Sequence, residues 1–156
     1  MRTIDDWLDE YGASHTNRVN KRLHWICVPI IVWCVLGVAW LLPVPEYLRR
    51  LTPFLNWGTL IAAAGVLYYL RLAPLLAFGM IPILVLMFTL MHGVDSWGYA
   101  WRWGIYLGLF VIAWIGQFIG HDIEGRRPSF FKDIQFLLIG PLWLLADVYR
   151  RWGWRT

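Results

Sequence analysis

The chain has 156 residues, 59% hydrophobic and 17% aromatic, with a formal net charge of +4. Ordinary soluble domains run about 45–50% apolar, so this composition excludes a water-soluble domain with one small core and points to an integral membrane protein. The basic residues fall in patches, which suits anionic membrane lipids and not nucleic acid as the partner.

In chain order, residues 3–11 are amphipathic. Ile4, Trp7, Leu8 and Tyr11 share one helical face, Asp5, Asp6, Asp9 and Glu10 the other, and Thr3 stands at the N-cap. The pattern reads as a short interfacial helix or as a helix packed on a neighbour. This acidic start has no apolar run, which predicts no cleaved signal peptide. Residues 23–42 form a segment of bilayer length closed by Pro43 and Pro45. Residues 56–70 are apolar but short, interrupted by Arg71 and Pro74, and the apolar run resumes over 75–91. Residues 103–120 make the next span. Residues 136–148 are apolar, broken by Pro141, and read as re-entrant, tilted or interfacial. Tryptophans near segment ends (Trp25, Trp57, Trp101, Trp103, Trp143) fit aromatic belts. Cys27 and Cys34 sit seven apart inside the first apolar run and read as small core residues, not a disulfide.

The expected fold is therefore all-α. It is a single integral-membrane domain over 1–156, a polytopic helical bundle of about four spanning helices with a short N-terminal helix and a short C-terminal one. Arg18, Lys21 and Arg22 before the first span, Arg126, Arg127 and Lys132 after the fourth, and Arg150, Arg151 and Arg155 at the end place both termini in the cytoplasm. Arg49 and Arg50 in the first outer loop run against that orientation.

Four histidines, His15, His24, His92 and His121, stand at the edges of these segments, each near a polar partner. Ionisable groups near membrane depth are expensive, so a repeated pattern of this kind points to a site, most simply a metal site. Asn17, Asn20 and His24 share one helix face, with His15 just upstream; the competing reading is a polar helix entrance with a snorkelling histidine. Asp95 is placed to orient His92 through its second ring nitrogen, or to cap a following helix. Gln117, His121 and Glu124 form a polar stripe at the end of an apolar helix. Gly125 then suits the C′ position and Pro128 prevents continuation. Arg126 and Arg127 follow, and arginine forks bind carboxylates bidentately, so a fatty-acid headgroup suits them as well as simple anchoring does. Ser129 to Asp147 carries Asp133 and Asp147, and Asp147 reads as an extra carboxylate that orients the site or, more plainly, as the end of an anchored helix. With four crossings His92 falls at the far end from the other three, so a single site would require irregular backbone around residues 71–74.

These residues resemble the 2-hydroxy fatty acid dioxygenase family, the iron-dependent membrane proteins of fatty-acid alpha-oxidation. The match is carried by His15, Asn20, His24 and Pro29, then His92 and Asp95, then Trp114-Ile-Gly-Gln117-Phe-Ile-Gly120-His121 with Glu124 and Arg126-Arg127-Pro128, and finally Gly140-Pro141. The resemblance implies an iron(II) site at His15, His24, His92 and His121. Asn20, Asp95, Gln117 and Glu124 would orient it, and Arg126 and Arg127 would meet the substrate. It also implies cleavage of a long-chain 2-hydroxy fatty acid with O2. Spacing makes the chain look like a short bacterial relative, which implies a place in the inner membrane. Two other functions stay open on the residues alone: a haem-binding membrane cytochrome using two histidines axially, and a non-catalytic lipid-binding scaffold.

Overall fold

The computed structural model describes residues 2–52, 54–127 and 135–154. Its elements are α1 (Ile4–Gly12), α2 (Arg18–Leu41), α3 (Glu46–Arg49), α4 (Trp57–Leu72), α5 (Pro74–Val94), α6 (Tyr99–Glu124) and α7 (Phe136–Arg151). Every regular element among the described residues is a helix, as expected. Pro128, Ser129, Lys132, Asp133 and Arg155, which the sequence reading also used, lie outside the described residues.

Three helices, α2, α5 and α6, are long and apolar enough to cross a membrane. α4 is apolar but has 16 residues, about 24 Å at 1.5 Å per residue, short of the ~30 Å hydrocarbon core. Three spans therefore meet the length that four were expected to meet. Their outward faces carry Ile26, Phe78, Leu86 and Ile112, all more than half exposed. Such a belt is compatible with a lipid surrounding.

The helices alternate in direction. α2 and α6 are antiparallel, because Gly37 meets Tyr106 and Gly116 meets Cys27. α4 starts beside the C-terminal end of α2, with Gly58 against Leu36 and Trp40. It runs back until the Tyr69 hydroxyl donates to Leu138 O at 2.8 Å. Residues 71–74 then make a plain reversal. Pro74 opens α5 at its first turn, where a missing N–H costs nothing. No irregular backbone at depth is needed there, contrary to the sequence expectation. α5 runs away to Met91, which packs with Leu36 and Tyr106, and α6 returns.

α1 and α7 close one end of this bundle. Thr3 caps α1 through a capping box with Asp6: Asp6 N donates to Thr3 Oγ1 at 3.2 Å and Thr3 N donates to Asp6 Oδ2 at 2.7 Å. The Thr3 N bond, with a second from the Thr3 hydroxyl to the same oxygen at 2.8 Å, holds the Asp6 carboxyl below its usual range. Of the two readings for α1, packing on a neighbour is the one observed. Trp7, Leu8 and Tyr11 are buried in a cluster with Phe136, Ile139 and Trp143 of α7. α7, expected at the membrane surface or re-entrant, buries residues on nearly every side, Gly140, Leu142, Leu144 and Ala146 among them. Trp143 is likewise a buried wall residue rather than part of an aromatic belt. Cys27 and Cys34 are buried and unbridged.

Candidate metal centre

His15, His24 and His121 meet at the end of the bundle that α1 and α7 close. One ligand nitrogen from each lies within 4.8 Å of the others. The rings are 1%, 1% and 4% exposed, so the cluster is an interior feature.

Each ring is placed by local structure. His15 follows the end of α1, and its Nδ1 lies 2.6 Å from Tyr11 O, one turn back. His24 sits in the second turn of α2, with Nδ1 3.0 Å from Asn20 O. Carbonyl oxygens only accept, so both Nδ1 atoms carry the hydrogen and both Nε2 atoms present lone pairs. These two Nε2 atoms face each other at 2.8 Å. Two neutral acceptors at that distance repel unless a cation lies between or beside them. Burial depresses His15 to about 4, while the bond to Tyr11 O pulls the other way. His15 is therefore neutral at pH 7, the form that ligates metal. His121 contributes a buried Nδ1 with no hydrogen bond. Three neutral imidazoles, one of them with an unsatisfied buried nitrogen, suit a divalent first-row metal.

The surroundings fix this arrangement. Glu124 ends α6 and accepts four bonds. Thr16 N donates to Oε1 at 2.8 Å, the Thr16 hydroxyl donates to the same oxygen, and Asn17 N and Asn20 Nδ2 donate to Oε2 at 2.9 Å each. The carboxylate thus ties the start of α2 to the end of α6, which brings His15, His24 and His121 together. Asn17 itself caps α2, accepting from Val19 N at 2.8 Å. Arg126 Nη1 donates to Ala13 O at 2.7 Å, a second strut across the same junction. Gly125 adopts φ 69° at the C-cap of α6, as the sequence led one to expect. Gly120 lets Asn20 approach, since a Cβ there would stand 2.5 Å from Asn20 Oδ1.

His92 is not brought to this cluster. It lies at the end of α5 with its side chain 86% exposed, 3.5 Å from Asp95. Asp95 in turn takes Arg102 Nη1 at 3.1 Å. The local pair expected from the sequence forms, but at the opposite end of the bundle. Tyr106 marks that end on α6, fifteen residues before His121, about 22 Å along the helix. Gln117 is 6% exposed and lines a cavity of about 60 Å³ with His24, His121 and Trp114. Arg126 and Arg127 are exposed and border a surface depression that also reaches His121.

Two contributors escaped the sequence reading. Tyr11 stacks on His15 with ring centroids 4.2 Å apart and supplies the carbonyl that holds it. Trp143 lies 5.4 Å from the same ring. The spacing of four between Tyr11 and His15 carries the signal for the first. Nothing local announces the second, which comes from α7 across the fold. A haem does not fit here: His15 and His24 aim at each other across 2.8 Å and the adjoining space is about 60 Å³, with no room for a macrocycle between axial ligands.

No solved structure matches the chain. A curated protein of Saccharomyces cerevisiae, 2-hydroxy-palmitic acid dioxygenase MPO1, is 32% identical over 147 residues, covering 92% of this chain and 78% of that one. The family described as 2-hydroxy-palmitic acid dioxygenase Mpo1-like matches residues 1–152, a stretch that contains all three clustered histidines, their anchors and the Glu124 latch. The chain belongs to that Mpo1-like family.

Proposed function

We propose that this protein is an iron(II)-dependent dioxygenase that converts a long-chain 2-hydroxy fatty acid to the acid one carbon shorter. The observation that carries the reading is the buried His15–His24–His121 cluster with two Nε2 lone pairs facing each other at 2.8 Å. The family match, to proteins described as 2-hydroxy-palmitic acid dioxygenases, supports the substrate class. The overall reaction balances with one O2: the C1–C2 bond breaks, the hydroxyl-bearing carbon becomes the new carboxyl, and CO2 and water leave. No external reductant is required.

His15, His24 and His121 would hold the metal. Iron bound there supplies electrons to O2 and a Lewis acid for the hydroxyl and carboxylate oxygens of the acid. The protein's part is positioning. Tyr11 O and Asn20 O fix the tautomer and rotation of two rings, and Glu124 fixes the junction on which all three depend. Trp114 and Phe136 among the walls of the adjoining cavity limit water. Arg126 and Arg127, at the rim outside His121, attract the carboxylate, with Arg126 also bracing Ala13. His92 and Asp95 take no part. The setting is an inner membrane of a bacterium, with the histidine end and both termini in the cytoplasm. The basic residues near that end support this orientation.

The test is metal analysis followed by product analysis. Purified protein should carry about one iron per chain and, under O2, shorten a long-chain 2-hydroxy acid by one carbon in mass spectrometry. Non-hydroxylated acids should react far more slowly, because they lack the second chelating oxygen. Equal turnover of both would reject chelation, and no turnover by iron-loaded protein would reject the dioxygenase.

A further inference from the structure

Beside the histidine cluster the bundle has a gap. α4 and α6 both lean on α2, and between them lies an apolar space of about 360 Å³. Its walls include Val35 and Leu36 of α2, Ile61 and Gly65 of α4, and Phe110 of α6. The small cavity at His24, His121 and Gln117 shares Ile31, Val32, Trp114 and Leu137 with this space, so the two adjoin. Along α2 the joint path runs from His24 to Leu36, about 18 Å, a span suited to a long hydrocarbon chain. Polar side chains concentrate at the small-cavity end, with His24, Gln117 and His121. There Gln117 Nε2 is buried with no hydrogen bond, a donor left without an acceptor. Val35 and Ile61 are 44% and 48% exposed, so the far part opens sideways, toward lipid rather than water.

We propose that this groove takes the acyl chain of the 2-hydroxy fatty acid. The headgroup would enter the small cavity, where Gln117 Nε2 donates to an oxygen of the acid, and the chain would pass Gly65 with its methyl end toward Ile61 and Leu36. The inference rests on the dioxygenase reading for the identity of the occupant. It makes the bilayer the source of substrate, reached between α4 and α6. Gly65 then becomes a wall residue that the chain must pass, so that a larger side chain there limits chain length. A Cβ at Gly65 would meet nothing within 4 Å, so a side chain there grows into the groove instead of colliding with protein.

The full chain in lipid nanodiscs is labelled with a long-chain 2-hydroxy acid bearing a diazirine near its methyl end. Labelling should be saturable, should fall on Ile61, Val66 or Phe110, and should be competed by excess unlabelled 2-hydroxy acid. Label that excess acid does not reduce is bulk lipid, and it overturns the proposal; so does saturable label on the outer face of α5. Gly65→Leu should shift the competing acids toward shorter chains, with affinity for the longest falling about four-fold per excluded methylene. Gly108→Leu, outside the groove and also unobstructed, should not. An unchanged chain-length profile in Gly65→Leu that still labels normally rejects Gly65 as a wall of the acyl path. Gln117→Leu should weaken competition by the acid about ten-fold, and no change rejects the headgroup contact. Saturable labelling without turnover keeps the groove and removes the dioxygenase. Turnover without saturable labelling in the groove does the reverse.

Discussion

At the scale of single residues, the site depends on what each histidine does with the nitrogen that faces away. His15 and His24 spend Nδ1 on carbonyls one turn back, and this leaves their Nε2 atoms facing each other. Removing any of the three rings should therefore abolish metal binding. His92→Ala should leave it intact, since His92 is an exposed group paired with Asp95. Metal content after purification checks both, and loss of metal in His92→Ala would show that the cluster is not the centre. Glu124→Gln replaces one acceptor oxygen by a donor that faces Thr16, Asn17 or Asn20 N–H groups. It should cost roughly 1–3 kcal/mol of stability and weaken metal binding about 10–100-fold, read by melting and by iron titration. Acid should act through His15 as well. Its folded pKa, about 4, lies below the ordinary 6.5 because it is buried. Above 6.5 neither state is protonated and pH has no effect through this group. Between 6.5 and 4 the unfolded chain binds a proton that the folded chain refuses, so stability of the metal-free protein falls as pH falls. The slope is at most about 1.4 kcal/mol per pH unit. Denaturation of wild type and His15→Gln between pH 6.5 and 5 should show the steeper decline in wild type, and parallel curves would refute it.

At the scale of elements, α2 against α6 is the contact that makes the site, and two glycines permit it. A Cβ at Gly116 would lie 2.7 Å from Cys27 Sγ, and one at Gly120 would press on Asn20. Gly120→Val should cost about 1–3 kcal/mol and displace Asn20, whose carbonyl orients His24. Metal affinity should drop while circular dichroism keeps its helical signal, and Gly104→Val, with nothing near its Cβ, serves as control. The sequence disclosed these helices well because apolar runs, Pro43 and Gly125 mark their ends by local chemistry. It disclosed the stripe Gln117, His121 and Glu124 for the same reason: spacings of three and four are properties of one helix. His92 misled because the same spacing, repeated with Asp95, produces a real local pair at whichever bundle end it falls. Which end is decided by the number of reversals before it. The short α4 and its turn at Ala73 and Pro74 settle that number through packing, not through any residue beside His92. Trp143 was invisible for a related reason, since its contact with His15 depends on how α7 docks.

The whole molecule is a bundle with chemically different ends, and that asymmetry predicts an orientation. Arg18, Lys21 and Arg22 open α2, and Thr16 and Asn17 beside them are held by Glu124. Arg126 and Arg127 follow Glu124, and the Arg151 guanidinium lies 5.7 Å from the Trp25 ring. All of these sit at the histidine end. The other end has Arg49 closing α3, Arg50 just after it, and Arg102, the last neutralised by Asp95. Loop lysines and arginines near spans remain on the cytoplasmic side, where translocation is avoided, so the histidine end should face the cytoplasm. This is testable without activity. In a Cys27→Ala, Cys34→Ala background, Arg18→Cys and Arg127→Cys should react with a membrane-impermeant maleimide only in inverted vesicles. Tyr47→Cys and Trp101→Cys, exposed at the other end, should react in intact cells. Labelling of Arg18→Cys and Arg127→Cys from opposite sides would break the fold itself, because Glu124 binds the start of α2 directly. Labelling of both from outside would keep the fold and reverse the orientation. In that case iron and the acid would have to reach the histidines from the far side of the membrane.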